Sequence, residues 1–164
     1  MFYYWVIAFL GIIIGLILAS RTKEELKIGK KYFILLGRLV FFTLIVFLLY
    51  KVSFNFLIIL FFILGIFFSF KLNKVYFYLG LTLLLSSFIS ESFLIAITSL
   101  IFIFGLVYGT LIYSRKKINI SFDLIYFLIP LILLFVKGFV VNNIEIFLSF
   151  VAGTLFFNFI KKIR

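Results

Sequence analysis

The chain contains no cysteine and no histidine. Their absence excludes disulfides, thiol nucleophiles, thiolate metal sites, haem or copper ligation through imidazole, and the commonest general base. Acidic side chains are also scarce: Glu24, Glu25, Glu91, Asp123 and Glu145 are all there are, and they are scattered. Phosphotransferases and membrane proteases need paired carboxylates, a histidine or a Ser–Lys type dyad, and no such constellation is present. The reading is therefore of no catalytic site, no metal site and no cofactor. Charged residues make up 13% of the 164 residues, against about 25% in a soluble domain. Long polar segments are missing too. The longest connection, 20–31, has no room for a soluble domain. Soluble, disordered, fibrous and disulfide-rich classes are thereby excluded.

What fills the chain is apolar. Hydrophobic residues reach 66%, with 27 phenylalanines, and the mean hydropathy is +1.39. A helical membrane span needs about 20 mostly apolar residues, with a range of roughly 17–25, and an isolated spanning segment must be helical to satisfy its own backbone. Seven candidates follow one another at 2–19, 32–50, 52–70, 75–89, 93–113, 124–141 and 144–160. The predicted fold is an all-α polytopic bundle of about seven transmembrane helices, one domain over 1–164, in a cell membrane. The uncharged, aromatic start Met1–Trp5 precedes the basic residues rather than following them. That is the reverse of a cleaved secretory signal, so the first span reads as retained, with Tyr3, Tyr4 and Trp5 as an interfacial belt.

The net charge of +11 orients the chain. With the N-terminus outside, the cytoplasmic connections hold Arg21, Lys23, Lys27, Lys30, Lys31, Lys71, Lys74 and Arg115–Lys117, and the tail adds Lys161, Lys162 and Arg164. Only Lys51 and Lys137 fall outside, and Arg38 lies within a span. The positive-inside rule favours this N-out, C-in arrangement. It also requires the short segment 75–89 to cross, because otherwise the bias collapses. The expected partners of the basic loops are anionic lipid head groups, with a protein partner or a second copy of the chain as a further option. Nucleic acid is not expected, since no aromatic-basic groove interrupts the apolar runs.

Glycine placement is patterned. Gly11 and Gly15 form one G-x-x-x-G, and Gly105 and Gly109 another. Small residues at this spacing let helix backbones approach in lipid, so the first and fifth spans are each expected to take part in the closest helix crossings. The alternative is a face that drives dimerisation or docks a partner. Four outer-to-inner spans also end alike, around Gly15, Gly65, Gly109 and Gly153, spaced 50, 44 and 44 residues apart. Duplication of a two-helix hairpin would produce this, and so would chance within so narrow a composition. In the first connection Thr22–Glu25 fits a capping box and Gly29 a turn terminator. A short interfacial helix and an ordinary basic loop are equally good readings.

Charges within spans are functional candidates, because a charge in lipid costs from about 2.5 kcal/mol upward. Arg38 is the seventh residue of its span, roughly 10 Å deep at 1.5 Å per residue. Asp123 opens the sixth span from the same side, and Asn158 lies near the inner end of the seventh. These three form the candidate intramembrane polar site, facing the cytoplasm. The competing reading has Arg38 snorkelling to lipid phosphates. On the outer side, Lys137 and Glu145 are expected to pair across the 138–143 turn, Ser86–Ser92 to line a polar vestibule or to let a short helix meet water, and Pro130 to kink its helix.

Three functions fit. A non-enzymatic membrane subunit or scaffold, packed against partner helices, demands least. A small transporter or channel for an apolar or lipid-like solute would need converging polar groups, and the spans offer only Thr43, Thr82, Ser86, Thr98, Ser99, Thr110 and Ser149. A lipid-modifying enzyme is third. The topology resembles that of membrane glycerol-phosphate acyltransferases, but their Gly-rich and His-bearing loop motifs have no counterpart here.

Overall fold

The computed structural model describes residues 2–22, 25–72, 74–114 and 120–161. The described residues form helices α1 (Phe2–Arg21), α2 (Glu25–Leu49), α3 (Phe56–Lys71), α4 (Val75–Ser86), α5 (Glu91–Ser114) and α6 (Ile120–Leu128). A 3-10 segment (Ile129–Val136) follows, then α7 (Lys137–Asn142) and α8 (Ile144–Ile160). Four stretches are long and apolar enough to cross a membrane: Phe2–Arg21, Gly29–Leu49, Glu91–Tyr113 and Ile120–Asn142. Helices α3, α4 and α8 are apolar but shorter.

Local chemistry explains where the elements depart from the sequence expectation. Lys51 does not suffice as the link between the second and third spans. The Asn55 carboxamide oxygen accepts a hydrogen bond from the Ile58 N–H and caps α3, which leaves 50–55 as the connection. No separate interfacial helix precedes α2, because Gly29 sits inside a continuous helix beginning at Glu25. The Thr22 hydroxyl donates back to the Leu18 carbonyl, closing α1. Lys23 and Glu24 of the suggested capping box lie outside the described residues. Helix α4 is 12 residues long, shorter than expected, since 87–89 turn away and the Ser90 hydroxyl accepts from the Phe93 N–H at the start of α5. Pro130, which lacks an N–H and clashes with the preceding turn, does more than kink its helix. From Ile129 to Val136 the chain tightens to a 3-10 helix of 8 residues, a length seldom reached because 3-10 hydrogen bonds are poorer.

Glycine organises the packing. Helices α1 and α5 run parallel, with Gly11 against the backbone of Phe102 and Gly15 against that of Leu106. Reciprocally, Gly105 faces Gly11 and Ile12, and Gly109 faces Ile12, Gly15 and Leu16. A Cβ at any of the four would lie within 3.0 Å of backbone on the other helix. A second parallel pair, α3 with α8, is built the same way: Gly65 meets Phe150 and Gly153 meets Phe62, again backbone on backbone. A third close approach sets Gly80 of α4 on Phe127 of α6. Each places a glycine Cα–H at a carbonyl oxygen, a weak bond repeated along the crossing.

The two pairs enclose α4. It packs against α5, α6, α8 and the 3-10 segment, and ten of its residues are buried, Tyr76, Leu79 and Leu83–Leu85 among them. Aromatic rings fill the space around Tyr76, with Tyr108 at 5.1 Å and Phe9, Phe104 and Phe127 each at 6.2 Å between centroids. Trp5 and Tyr4 are buried rather than interfacial, and Trp5 meets Phe127 edge-on at 5.1 Å. Tyr3 is exposed.

One end of the bundle gathers the starts of α1, α5 and α8 with the ends of α2 and α4. The Tyr4 hydroxyl donates to Glu91 at 3.1 Å, Phe47 packs on Phe93, and Ser53 of the α2–α3 link donates to Glu145 of α8. Successive passes therefore alternate in direction.

Adding a methyl group at Gly15, Gly65, Gly109 or Gly153 forces paired backbones apart. Each Gly→Ala variant should lose about 1–3 kcal/mol, the usual range for overpacking, read as a lower melting temperature in detergent. Gly138 has open space at its Cβ position, so Gly138→Ala should melt as the parent does.

Candidate functional site

The three polar residues singled out from the spans occupy separate contacts. Arg38 is half-buried on α2, and its Nε is enclosed without a hydrogen-bond partner. Helix α2 packs on α5 and α8, whereas α6, which carries Asp123, packs on α4. Among the described residues no ion pair joins Arg38 to Asp123. Asp123 instead lies in the field of Lys74, the residue before α4, and the Lys74 ammonium sits 4.6 Å from the centroid of the Tyr126 ring. This is a cation–π contact that ties the start of α4 to α6.

Asn158 belongs to the α3–α8 seam. Its amide donates to the Ser69 hydroxyl at 3.0 Å and to the Thr154 carbonyl at 2.8 Å, all buried. At the other end of the same seam the buried Ser149 hydroxyl donates to the Ile58 carbonyl at 2.7 Å. The other interior serine and threonine hydroxyls close on their own helices: Thr82 on Tyr78, Ser86 on Leu83, Thr98 on Leu94, Thr110 on Val107 and Thr154 on Val151; the buried Tyr76 hydroxyl has no partner among the described residues. Such back-bonds satisfy the hydroxyl without requiring a ligand. No group of three or more acidic residues converges on a possible metal position among the described residues.

The end of the bundle that holds the starts of α1, α5 and α8 differs from the sequence expectation. Lys137 and Glu145 do not pair. Residues 137–142 are helical rather than a tight turn, the Lys137 ammonium lies 5.7 Å from the Phe88 ring centroid, and Glu145 is held by the Ser53 N–H and hydroxyl. Ser86 and Ser87 spend their hydroxyls on Leu83 and Leu84, so the serine cluster finishes a helix rather than lining a vestibule. The basic residues Lys23, Arg115–Lys117, Lys162 and Arg164 lie outside the described residues.

Two cavities adjoin at this end. One, of about 310 Å³, opens between the α2–α3 link and the α7–α8 turn, where Asn55, Asn142, Asn143 and Glu145 line it. The other, of about 330 Å³, is walled by Phe61, Leu81, Phe139, Phe147 and Phe150. Asn143 and Ile146 line both. The reading from sequence passed over these asparagines. The available signal was an Asn-Asn turn between two spans, and a third Asn directly before an apolar run.

Asn158→Leu removes the amide that donates to the buried Ser69 hydroxyl, at a cost of about 1–3 kcal/mol. Arg38→Leu keeps the packed stem and removes a charge with no ionic partner among the described residues. Thermal melting in detergent should fall for the first variant and stay within about 1 kcal/mol of the parent for the second. No family model matches this chain, and neither a curated protein nor a solved structure matches it.

Proposed function

We propose that this chain is a multi-pass protein of the cell membrane, N-out and C-in with seven passes, acting as a non-enzymatic subunit or scaffold. The observation that carries this reading is α4. A helix buried on all sides occupies the middle of the bundle, where a transporter or channel would keep a polar path. The interior hydroxyls, closed on their own carbonyls, support the same conclusion. Alternating helix directions and the basic residues at 21–31, 71–74 and 115–117 support the orientation.

The surface offers what a subunit needs. Helix α3 buries only Ile58, Gly65 and Ser69, and presents Ile63, Phe67 and Phe70 outward. Side chains of this kind meet either acyl chains or the small-residue faces of partner helices. Anionic head groups at the inner basic loops would hold the chain at that leaflet.

Chemical cross-linking in intact membranes followed by native mass spectrometry tests the proposal. A protein complex of fixed stoichiometry is expected, and Ile63→Ala/Phe67→Ala, at exposed positions, should dissolve it without lowering the melting temperature. A chain that stays monomeric in the membrane, or a complex indifferent to the α3 face, contradicts the proposal.

A further inference from the structure

We propose that the outer end holds one amphiphile, a lipid whose headgroup donates hydrogen bonds through an ammonium or hydroxyl and carries no net negative charge. This goes beyond the subunit reading and does not depend on it.

The first support is contiguity. A cavity of mixed lining, with Asn55, Asn142, Asn143 and Glu145 beside Leu57, Ile58 and Ile144, and an apolar cavity of similar size, about 310 and 330 Å³, share Asn143 and Ile146 as lining residues. Small-molecule sites run roughly from 300 to 1,000 Å³, so the two together suit a headgroup with the first part of an acyl chain. The polar half lies level with the α2–α3 link and the α7–α8 turn, where a membrane surface would be. The apolar half runs toward Phe61 and Phe150, deeper along α3 and α8.

The second support is the unspent hydrogen-bonding capacity. The Asn55 carboxamide oxygen caps α3, the Asn143 amide donates to the Phe139 carbonyl, and one Glu145 oxygen takes both Ser53 bonds. The Asn55 Nδ2, the Asn142 carboxamide and the second Glu145 oxygen carry no bond to the described chain. They supply one carboxylate and two amides to whatever enters. No residue lining this cavity is cationic, so an anionic headgroup would face an uncompensated carboxylate, whereas an ammonium or hydroxyl completes it.

The third support is the shape of the slot. It lies beyond the 3-10 segment that follows Pro130, where the six residues of α7 pack on the start of α8. Phe139 stands edge-on to Phe147, at 85° with centroids 6.2 Å apart, and the two rings meet at a corner of the slot. Beside Phe139, Gly138 leaves open space.

The test uses the full chain in detergent with equimolar dioleoyl phosphatidylethanolamine, dioleoylglycerol and dioleoyl phosphatidylglycerol, read by native mass spectrometry. Free ethanolamine is added in a parallel arm. Retention of phosphatidylethanolamine or dioleoylglycerol about fivefold or more above phosphatidylglycerol is expected, since one charge-assisted bond supplies at least that. Glu145→Gln should reduce phosphatidylethanolamine retention about tenfold, and Ile146→Trp, at the shared wall, should abolish lipid retention. Asn142→Leu alters an exposed side chain with no internal bond, so it should melt as the parent does and still lose retention severalfold. Free ethanolamine should not compete, because it lacks the chain. Equal retention of all three lipids, displacement by ethanolamine alone, or an unchanged profile in Asn142→Leu would overturn the proposal.

Discussion

Direct contact between helix backbones at glycine is the constraint on which the rest of this structure depends. In lipid, hydrophobic burial gives helices little reason to associate, and dispersion between closely approaching backbones takes its place. Here Gly11, Gly15, Gly105 and Gly109 bring α1 and α5 together, while Gly65 and Gly153 do the same for α3 and α8. Both pairs are parallel, so neither can consist of neighbours along an up-and-down chain. Each pairing joins passes four apart in sequence. Long-range closure of this kind fixes the positions of everything between.

The space that remains is filled rather than left open. Helix α4 enters between the pairs and is itself held by Gly80 against Phe127. Aromatic rings from α1, α4, α5 and α6 converge on Tyr76. The serine, threonine and asparagine groups inside this core are satisfied within one helix or across one seam, as Asn158 and Ser69 are, whereas the Tyr76 hydroxyl and the Trp5 indole N–H are enclosed without a partner among the described residues. Chemistry is thus displaced from the middle of the bundle to its ends. The regular helices fail at Pro130 and at the asparagine turn.

The sequence made some of this legible. Two G-x-x-x-G motifs marked α1 and α5 as helices that cross closely, because the motif's spacing is itself the geometry of the contact, but not that each is the other's partner. The second seam was written more faintly, as Gly65-x-x-x-Ser69 and Ser149-x-x-x-Gly153, with serine in place of a second glycine. The equivalent glycines of the repeat lie on common seams: Gly109 approaches Gly15, and Gly65 and Gly153 sit on facing helices against Phe150 and Phe62. Arg38, Asp123 and Asn158 could not be placed from sequence. Depth along a span says nothing about which face a residue occupies or which helices adjoin. The partners of Glu145 and Lys137 were hidden for a similar reason: the 137–142 segment reads as a turn by composition and folds as a helix. The two adjoining cavities depend on how α7 returns after the Pro130 break, a tertiary outcome with no local motif.

The parallel register of the seams is the central claim, and the cysteine-free chain permits a clean measurement of it. Ser69→Cys/Asn158→Cys places two thiols where a 3.0 Å hydrogen bond now stands, whereas Ser69→Cys/Ser149→Cys places them toward opposite ends of the bundle. Oxidative or short-reagent cross-linking in native membranes should bridge the first pair efficiently and leave the second unbridged. Cross-linking of Ser69 with Ser149, or of neither pair, would contradict the parallel glycine-seam architecture.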